Sequence, residues 1–310
     1  CNQFRFHLGF HYPRSEKTVN EIKISNKHFV NFYGKDIFGK TKNFYSIVKE
    51  SSNVNFDKYL KFIKRNKLQY KEIKNSKLTS TKIEGTVSTN EKILDYFKIK
   101  KKIKYKLSKS SVNLKLSSQL DQSILRYQKY DKIIIAAYKN NNDILKRLGL
   151  KVEKKFRYEL VEKIAISLPK KYKNISFVVM DGKFVCVDPY LGTPYHLLSH
   201  VKYSKLQIIK RKFSKFSKKY DSALINTKSL NKKLSNFNKF IDDGSKYLPF
   251  LKKAKYIYSY YVVRTLKSNV ESTDERTNLT QFINNNVLTV LAGKWNTCVY
   301  EAKKIEKLLK

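Results

Sequence analysis

His196 and His200 stand four residues apart, and on a helix that spacing puts two imidazoles on one face, as a zinc site requires. Leu197 occupies the position where a zinc protease carries its glutamate, so a third ligand would have to come from Cys186 or Asp188. The pair also follows Pro194 at the joint between two expected domains, where histidines commonly fill packing gaps. They are weak metal candidates, and no cofactor is expected.

The denser chemistry is cationic. Lys202, Lys205, Lys210, Arg211, Lys212, Lys215, Lys218 and Lys219 follow one another without an acid between them. Phe213, Phe216 and Tyr220 are interleaved; exposed, such rings would stack on bases beside phosphate clamps. On a helical seam they are core, and the lysines then form a basic helix surface. A second row, Lys102, Lys104 and Lys106, marks the outer face of an expected hairpin over 99–116. It reads as a solvated face or a polyanion-binding one, since lysines also protect exposed sheet edges.

Both rows belong to a chain of 310 residues with 66 Lys+Arg against 25 Asp+Glu, a formal net charge of +41. Such an excess favours a polyanionic partner. A hydrophobic fraction of 41% supports a sizeable core, and 14% aromatic residues exclude a disordered basic tail. The longest apolar runs, 133–138 and 256–263, fall far short of the ~20 residues that span a bilayer. Cys1, Cys186 and Cys298 make neither a disulfide framework nor a CxxC metal pair.

The positioning elements follow from periodicity. Strand-like runs at 4–10, 21–24 and 28–33 precede a helix capped by Asn55, with Phe56, Tyr59, Leu60 and Ile63 on one face. Ser118 with Asp121 forms a capping box for a helix toward Tyr138. Val152, Phe156, Leu160, Ile164 and Leu168 recur every four residues, as on a core-facing helix that Pro169 stops. Asp181-Gly182 between two apolar runs signals a hairpin central in its sheet. From Leu206 to Ile241 apolar residues alternate steps of three and four, a coiled-coil seam, and Pro249 and Ser272 open two further helices. The expected class is α+β: an N-terminal mixed α/β domain with β-hairpins over 1–200, followed by a C-terminal antiparallel three-helix coiled-coil-like bundle over 201–310.

Cys1 has three readings: an arbitrary fragment start, a lipid attachment site, or an N-terminal nucleophile whose α-amine serves as base. A first-residue cysteine resembles that of a mature bacterial lipoprotein, a likeness carried by this one residue. It implies lipidation of Cys1 and a place in the bacterial cell envelope. Ser176-Phe177-Val178-Val179, Asp181-Gly182-Lys183 and Asp188-Pro189-Tyr190-Leu191-Gly192 resemble the second half of the papain-like C39 peptidases. In that likeness Asp188 matches the residue that orients the catalytic histidine, but Ser176 stands in the histidine's place and no nucleophile segment precedes it. The resemblance therefore implies an inactive peptidase-like domain.

Charge and the missing catalytic set together lead to an expectation of a non-enzymatic, strongly basic binding protein. It would be lipid-anchored through Cys1 and docked to an anionic polymer or membrane surface, with a helical protein partner against the bundle. The rival is an intracellular nucleic-acid- or ribosome-associated protein.

Overall fold

The computed structural model describes residues 3–74, 76–118, 130–152, 154–268 and 278–309. Its spine is a pair of long strands, Phe156–Ser167 and Lys255–Lys267, paired antiparallel along their whole length. In chain order the strands are β1 (Arg5–Phe6), β2 (Lys42–Val48), β3 (Tyr70–Glu72), β4 (Ile83–Thr89), β5 (Lys92–Ile93), β6 (Ile133–Ile135) and β7 (Phe156–Ser167). They continue as β8 (Ile175–Met180), β9 (Val185–Pro189), β10 (His196–His200), β11 (Lys205–Arg211), β12 (Lys228–Ser229), β13 (Lys255–Lys267), β14 (Leu279–Phe282) and β15 (Val287–Leu291).

Ten of these form one sheet in the order β12-β13-β7-β10-β9-β8-β2-β4-β3, with β11 also on β7. Every pairing in it is antiparallel except β2 with β8. A separate three-stranded sheet runs β14-β15-β6, its β15–β6 pair parallel. The described helices are α1 (Glu16–Tyr33), α2 (Phe56–Arg65), α3 (Tyr96–Ser108), α4 (Asn141–Arg147), α5 (Asp221–Ile225), α6 (Phe237–Gly244) and α7 (Cys298–Leu309).

Both faces of the large sheet are covered. On one, Ile164, Ile166, Phe177, Val179, Val187 and Leu198 pack against Phe240 of α6 and against Leu248, Phe250 and Leu251. On the other lies the N-terminal segment: Phe4 and Phe6 meet Ala165, Leu197 and Tyr258, while Phe10, Tyr12, Val19 and Ile22 meet Tyr45, Val87, Val178 and Met180. Each fully buried large side chain contributes about 1.5–3 kcal/mol. Gly192 turns the chain between β9 and β10 at φ +81°, where an added Cβ would stand 2.6 Å from the Phe97 ring.

The three-helix bundle expected over 201–310 is not there. That stretch contributes β11, β12 and β13 to the large sheet and β14 and β15 to the small one, and only its last residues form a long helix. The supposed helix over 152–168 is β7, and the supposed hairpin over 99–116 begins as α3, capped by Asp95, which accepts from the Phe97 and Lys98 amides. The runs at 21–24 and 28–33 fall inside α1, which Ser15 caps. The helices expected from Ser118 and Ser272 begin in stretches outside the described residues, but where the chain is described again the first expected helix is replaced by β6 and the second by β14 and β15. Two expectations match what is seen. The Asp181-Gly182 hairpin joins β8 and β9 in mid-sheet, and Asn55 caps α2, its side chain accepting from the Lys58 amide at 2.9 Å. Asn55→Ala should therefore lower the urea-unfolding free energy by about 1 kcal/mol with an unchanged denaturant slope.

Candidate functional site

Strand alternation sends one set of side chains from the large sheet toward the N-terminal segment. Tyr260 pairs with Lys163, Ser199 with Cys186, Cys186 with Val178 and Val178 with Tyr45. Asp188 and Ser176 lie one row away on the same face, and an aromatic wall closes over it. Phe4 stacks on Tyr96 and Tyr190 and meets Trp295 edge-on at 5.3 Å. Tyr195 and Tyr260 make edge contacts with Tyr258.

Arg5 pins the N-terminal segment onto this face. Its guanidinium binds Asp188 Oδ1, donates to Ser176 Oγ at 2.6 Å and reaches Glu91 Oε2 at 3.4 Å. Ser176 Oγ donates to Asp188 Oδ1 at 2.6 Å, and Tyr45 donates to Glu91 Oε2 at 2.6 Å. The Leu8 amide donates to Glu91 Oε1 at 2.7 Å. Asp188 and Glu91 have no exposed surface. Burial pushes both carboxyls above the usual range while Arg5 pulls them back. The network is a buried clamp rather than a reactive centre.

Farther along the same face Lys163, Cys186 and Arg264 are partly exposed, beside buried Glu159 and Arg157. Lys163 is half-buried on β7; burial pushes its ammonium below the usual lysine range and Arg264 adds to that, against the pull of Cys186 and Asp188. Next to it, Cys186 Sγ contacts Ser199 Oγ and Gln3 Oε1, each at 3.1 Å, and burial pushes its thiol up, so it stays protonated. Two residues beyond Val161, Glu159 gathers Arg157 at 2.8 Å, Arg264 Nε at 2.8 Å and Lys205 at 4.0 Å. These cations hold the Glu159 carboxyl down against the opposing effect of its burial. Arg157, Arg264 and Lys205 thus gather on one buried carboxylate, and partly exposed Arg264 and Lys163 are the cations that an anionic group of a small ligand could meet.

The sequence-predicted site residues are scattered. His196 and His200 sit on a strand, where four residues span ~13 Å at ~3.3 Å each, too far to share a metal. His196 Nε2 donates to the Tyr172 carbonyl at 3.1 Å. His200 Nδ1 accepts from the Lys202 amide, which leaves Nε2 to donate to Asp243 at 2.8 Å. Among the described residues no group of three His, Cys, Asp or Glu side chains could hold a metal. Lys102 pairs with Asp36, Lys104 is exposed and Lys106 lies over the Phe32 ring, all on α3. Lys202 and Lys219 lie over Tyr203 and Tyr220, and Lys205 reaches Glu159. Lys210 and Arg211 end β11, while Lys212, Lys215 and Lys218 are exposed in the following turns. No single helix face presents them. Cys1 lies outside the described residues. Missed altogether were Arg5, Glu91, Glu159, Lys163, Ser199 and Arg264.

Burial pushes His196 down to about 4. An unfolded histidine titrates near 6.5, so between these values the unfolded chain binds more protons. Stability is then full above about pH 6.5 and falls toward pH 4, at up to about 1.4 kcal/mol per unit. Urea midpoints of the parent and His196→Gln should converge with this slope on acidification; parallel pH curves would refute the assignment.

No family model matches the chain, and no curated protein matches it. Solved structures do. L-α-glycerophosphate oxidase from Mycoplasma pneumoniae, with FAD bound, matches over 98% of this chain and 83% of its own, at 13% identity and a TM-score of 0.66. L-proline dehydrogenase from P. horikoshii covers 91% and 75%, at 10% identity and a TM-score of 0.61. Glycine oxidase from Geobacillus kaustophilus covers 96% and 80%, at 10% identity and a TM-score of 0.60. Neither a lipoprotein nor a C39 peptidase describes such a chain, and the expectations of a non-enzymatic polyanion binder, a nucleic-acid protein and a coiled coil give way with them. The fold is the one shared by these oxidoreductases.

Proposed function

We propose that this chain acts as an oxidoreductase of the flavin class, oxidising a small molecule that carries a carboxylate or phosphate beside an amine- or hydroxyl-bearing carbon. The observation that carries this reading is the cationic end of the sheet face, where Arg264, Arg157 and Lys205 gather on buried Glu159 and partly exposed Lys163 stands farther along the same strand. It lies within a fold shared with a glycerophosphate oxidase, a proline dehydrogenase and a glycine oxidase. Glycerophosphate carries a phosphate, and the two amino acids carry carboxylates. The net charge of +41 would also draw anionic substrates toward the molecule.

The residues suit the substrate better than the dinucleotide. A flavin dinucleotide rests its pyrophosphate on a glycine-rich turn between a strand and a helix. The nine glycines of this chain include no two that are adjacent or one residue apart. The described residues therefore offer no such cradle. The test is to supply the purified protein with excess FAD or riboflavin and add glycine, L-proline or glycerol phosphate without oxygen. Bleaching of the flavin colour by one of them supports the reading; no flavin retention and no bleaching with any of them overturns it.

A further inference from the structure

We infer that Tyr138 is a positioning residue of the candidate anion site: its hydroxyl locks the outer edge of β13 beside Arg264 and so aims that guanidinium at the anionic group of the substrate. The inference rests on the flavin reading above. Arg264 grips Glu159 with Nε at 2.8 Å and with one terminal nitrogen, and 40% of its side chain stays exposed to meet an anion. Where that exposed part points depends on the β13 backbone beneath it. On its inner side β13 is held by β7, where Arg264 faces Glu159 and Thr265 faces Tyr158. On its outer side β12 reaches only Ser259 and Tyr260. In an antiparallel pair successive residues turn their N–H and C=O to opposite edges, and the Tyr261 amide, which donates to the Thr227 carbonyl at 2.8 Å, marks the outward set. Val263 and Thr265 therefore present their backbone groups to the open side.

At Thr265 that side is closed by one hydroxyl. Tyr138 Oη donates to the Thr265 carbonyl at 3.2 Å and accepts from the Thr265 amide at 3.1 Å, across 127 positions of sequence. The ring projects from a braced turn between β6 and α4. Asn141 ties that turn down twice, accepting from the Ala137 amide at 2.8 Å and donating to the Val290 carbonyl at 2.8 Å. Tyr138 itself is held at φ +55°, a left-handed conformation that disfavours any residue with a Cβ. Glycine would remove that cost but carries no hydroxyl. Such strain persists where the surrounding structure over-determines it, and it gathers at functional sites. Here the strained residue is the one that reaches the strand bearing Arg264.

Tyr138→Phe keeps the ring and removes the contact. In the protein supplied with flavin, it should raise the KM for whichever of glycerol phosphate and L-proline the parent oxidises about tenfold with kcat little changed, because Arg264 meets substrate and transition state alike. A loss of folded protein would instead lower kcat and leave KM alone. Tyr138→Gly, which relieves the backbone, should raise KM as much. Calorimetry should show the same roughly tenfold loss of affinity, and none when Arg264→Met is already present, since Tyr138 acts through that side chain. Hydrogen exchange reads the contact without any ligand: the Thr265 amide should exchange about tenfold or more faster in Tyr138→Phe, while the Arg264 amide, turned to β7, keeps its rate. An unchanged KM, an unchanged Thr265 exchange rate, or a loss of affinity of the same size with and without Arg264→Met would overturn the inference and leave the flavin reading standing. If the parent neither holds flavin nor binds either ligand, the flavin reading fails and the inference falls with it.

Discussion

Arg5→Met should remove about 3–5 kcal/mol of folding stability at neutral pH, a large part of what a domain possesses. Methionine keeps most of the aliphatic volume, so the loss isolates the guanidinium. Asp188 and Glu91 are then buried without a counter-charge, and Asp188 keeps only Ser176 while Glu91 keeps Tyr45 and the Leu8 amide. Losing Arg5 must push both carboxyls further up. A carboxyl whose folded value is raised holds its proton longer in the folded state, so stability falls as pH rises above the unfolded value near 4. The penalty should accordingly shrink toward pH 4. Adding Asp188→Asn should restore part of the loss, since the pair shares one interaction. A penalty under about 1 kcal/mol in urea unfolding, or one independent of pH, would show that the clamp is not what holds the N-terminal segment down.

The sequence carried the local signals more faithfully than the periodic ones. Asn55 before an amphipathic turn and Asp181-Gly182 between apolar runs act through neighbouring atoms, and both are found where the residues place them. Periodicity misled at β7 because four is a multiple of two. Phe156, Leu160 and Ile164 share one strand face as readily as one helix face, and the strand is buried on both sides, which erases the usual alternation. What distinguishes the cases is the residues between, where Tyr158 and Ile166 complete a period of two. The reverse error occurred at α3, whose Ile-Lys-Tyr-Lys-Leu alternation suits a strand, yet lysines are good helix formers and Asp95 caps the start.

The candidate site was harder still, because it is assembled across strands. Arg5 and Asp188 are 183 positions apart and meet only once β1 lies over the sheet. Lys163 joins Ser199 and Cys186 through pairings that no local pattern encodes. One signal was present. Glu159, Glu162 and Lys163 interrupt an otherwise apolar run, and charges inside a buried strand must be paired or functional. Glu162 is paired: it accepts from Ser259 and from the Asn236 amide at 2.9 Å. Of the lysines in the basic runs, Lys205 is the one that reaches this group, at 4.0 Å from Glu159.

On the proposed reading, Lys163→Met should weaken binding of an anionic substrate by about 2 kcal/mol or more, roughly 30-fold or above. The half-buried ammonium has given up part of its hydration, as its lowered proton affinity reflects, and an arriving carboxylate or phosphate would replace it. Because such a contact serves the ground state and the transition state alike, KM should rise while kcat changes little. Calorimetry with L-proline or glycerol phosphate, which needs no turnover, should show the same loss. Lys163→Arg should recover much of it, since the charge remains. For the parent, kcat/KM should fall as pH rises through the lysine's value, which lies below the usual range near 10.4, and that limb should move out of reach in the Arg variant. An unchanged KM and dissociation constant in Lys163→Met would remove the lysine from the site and move the search to Arg264 and its partners around Glu159.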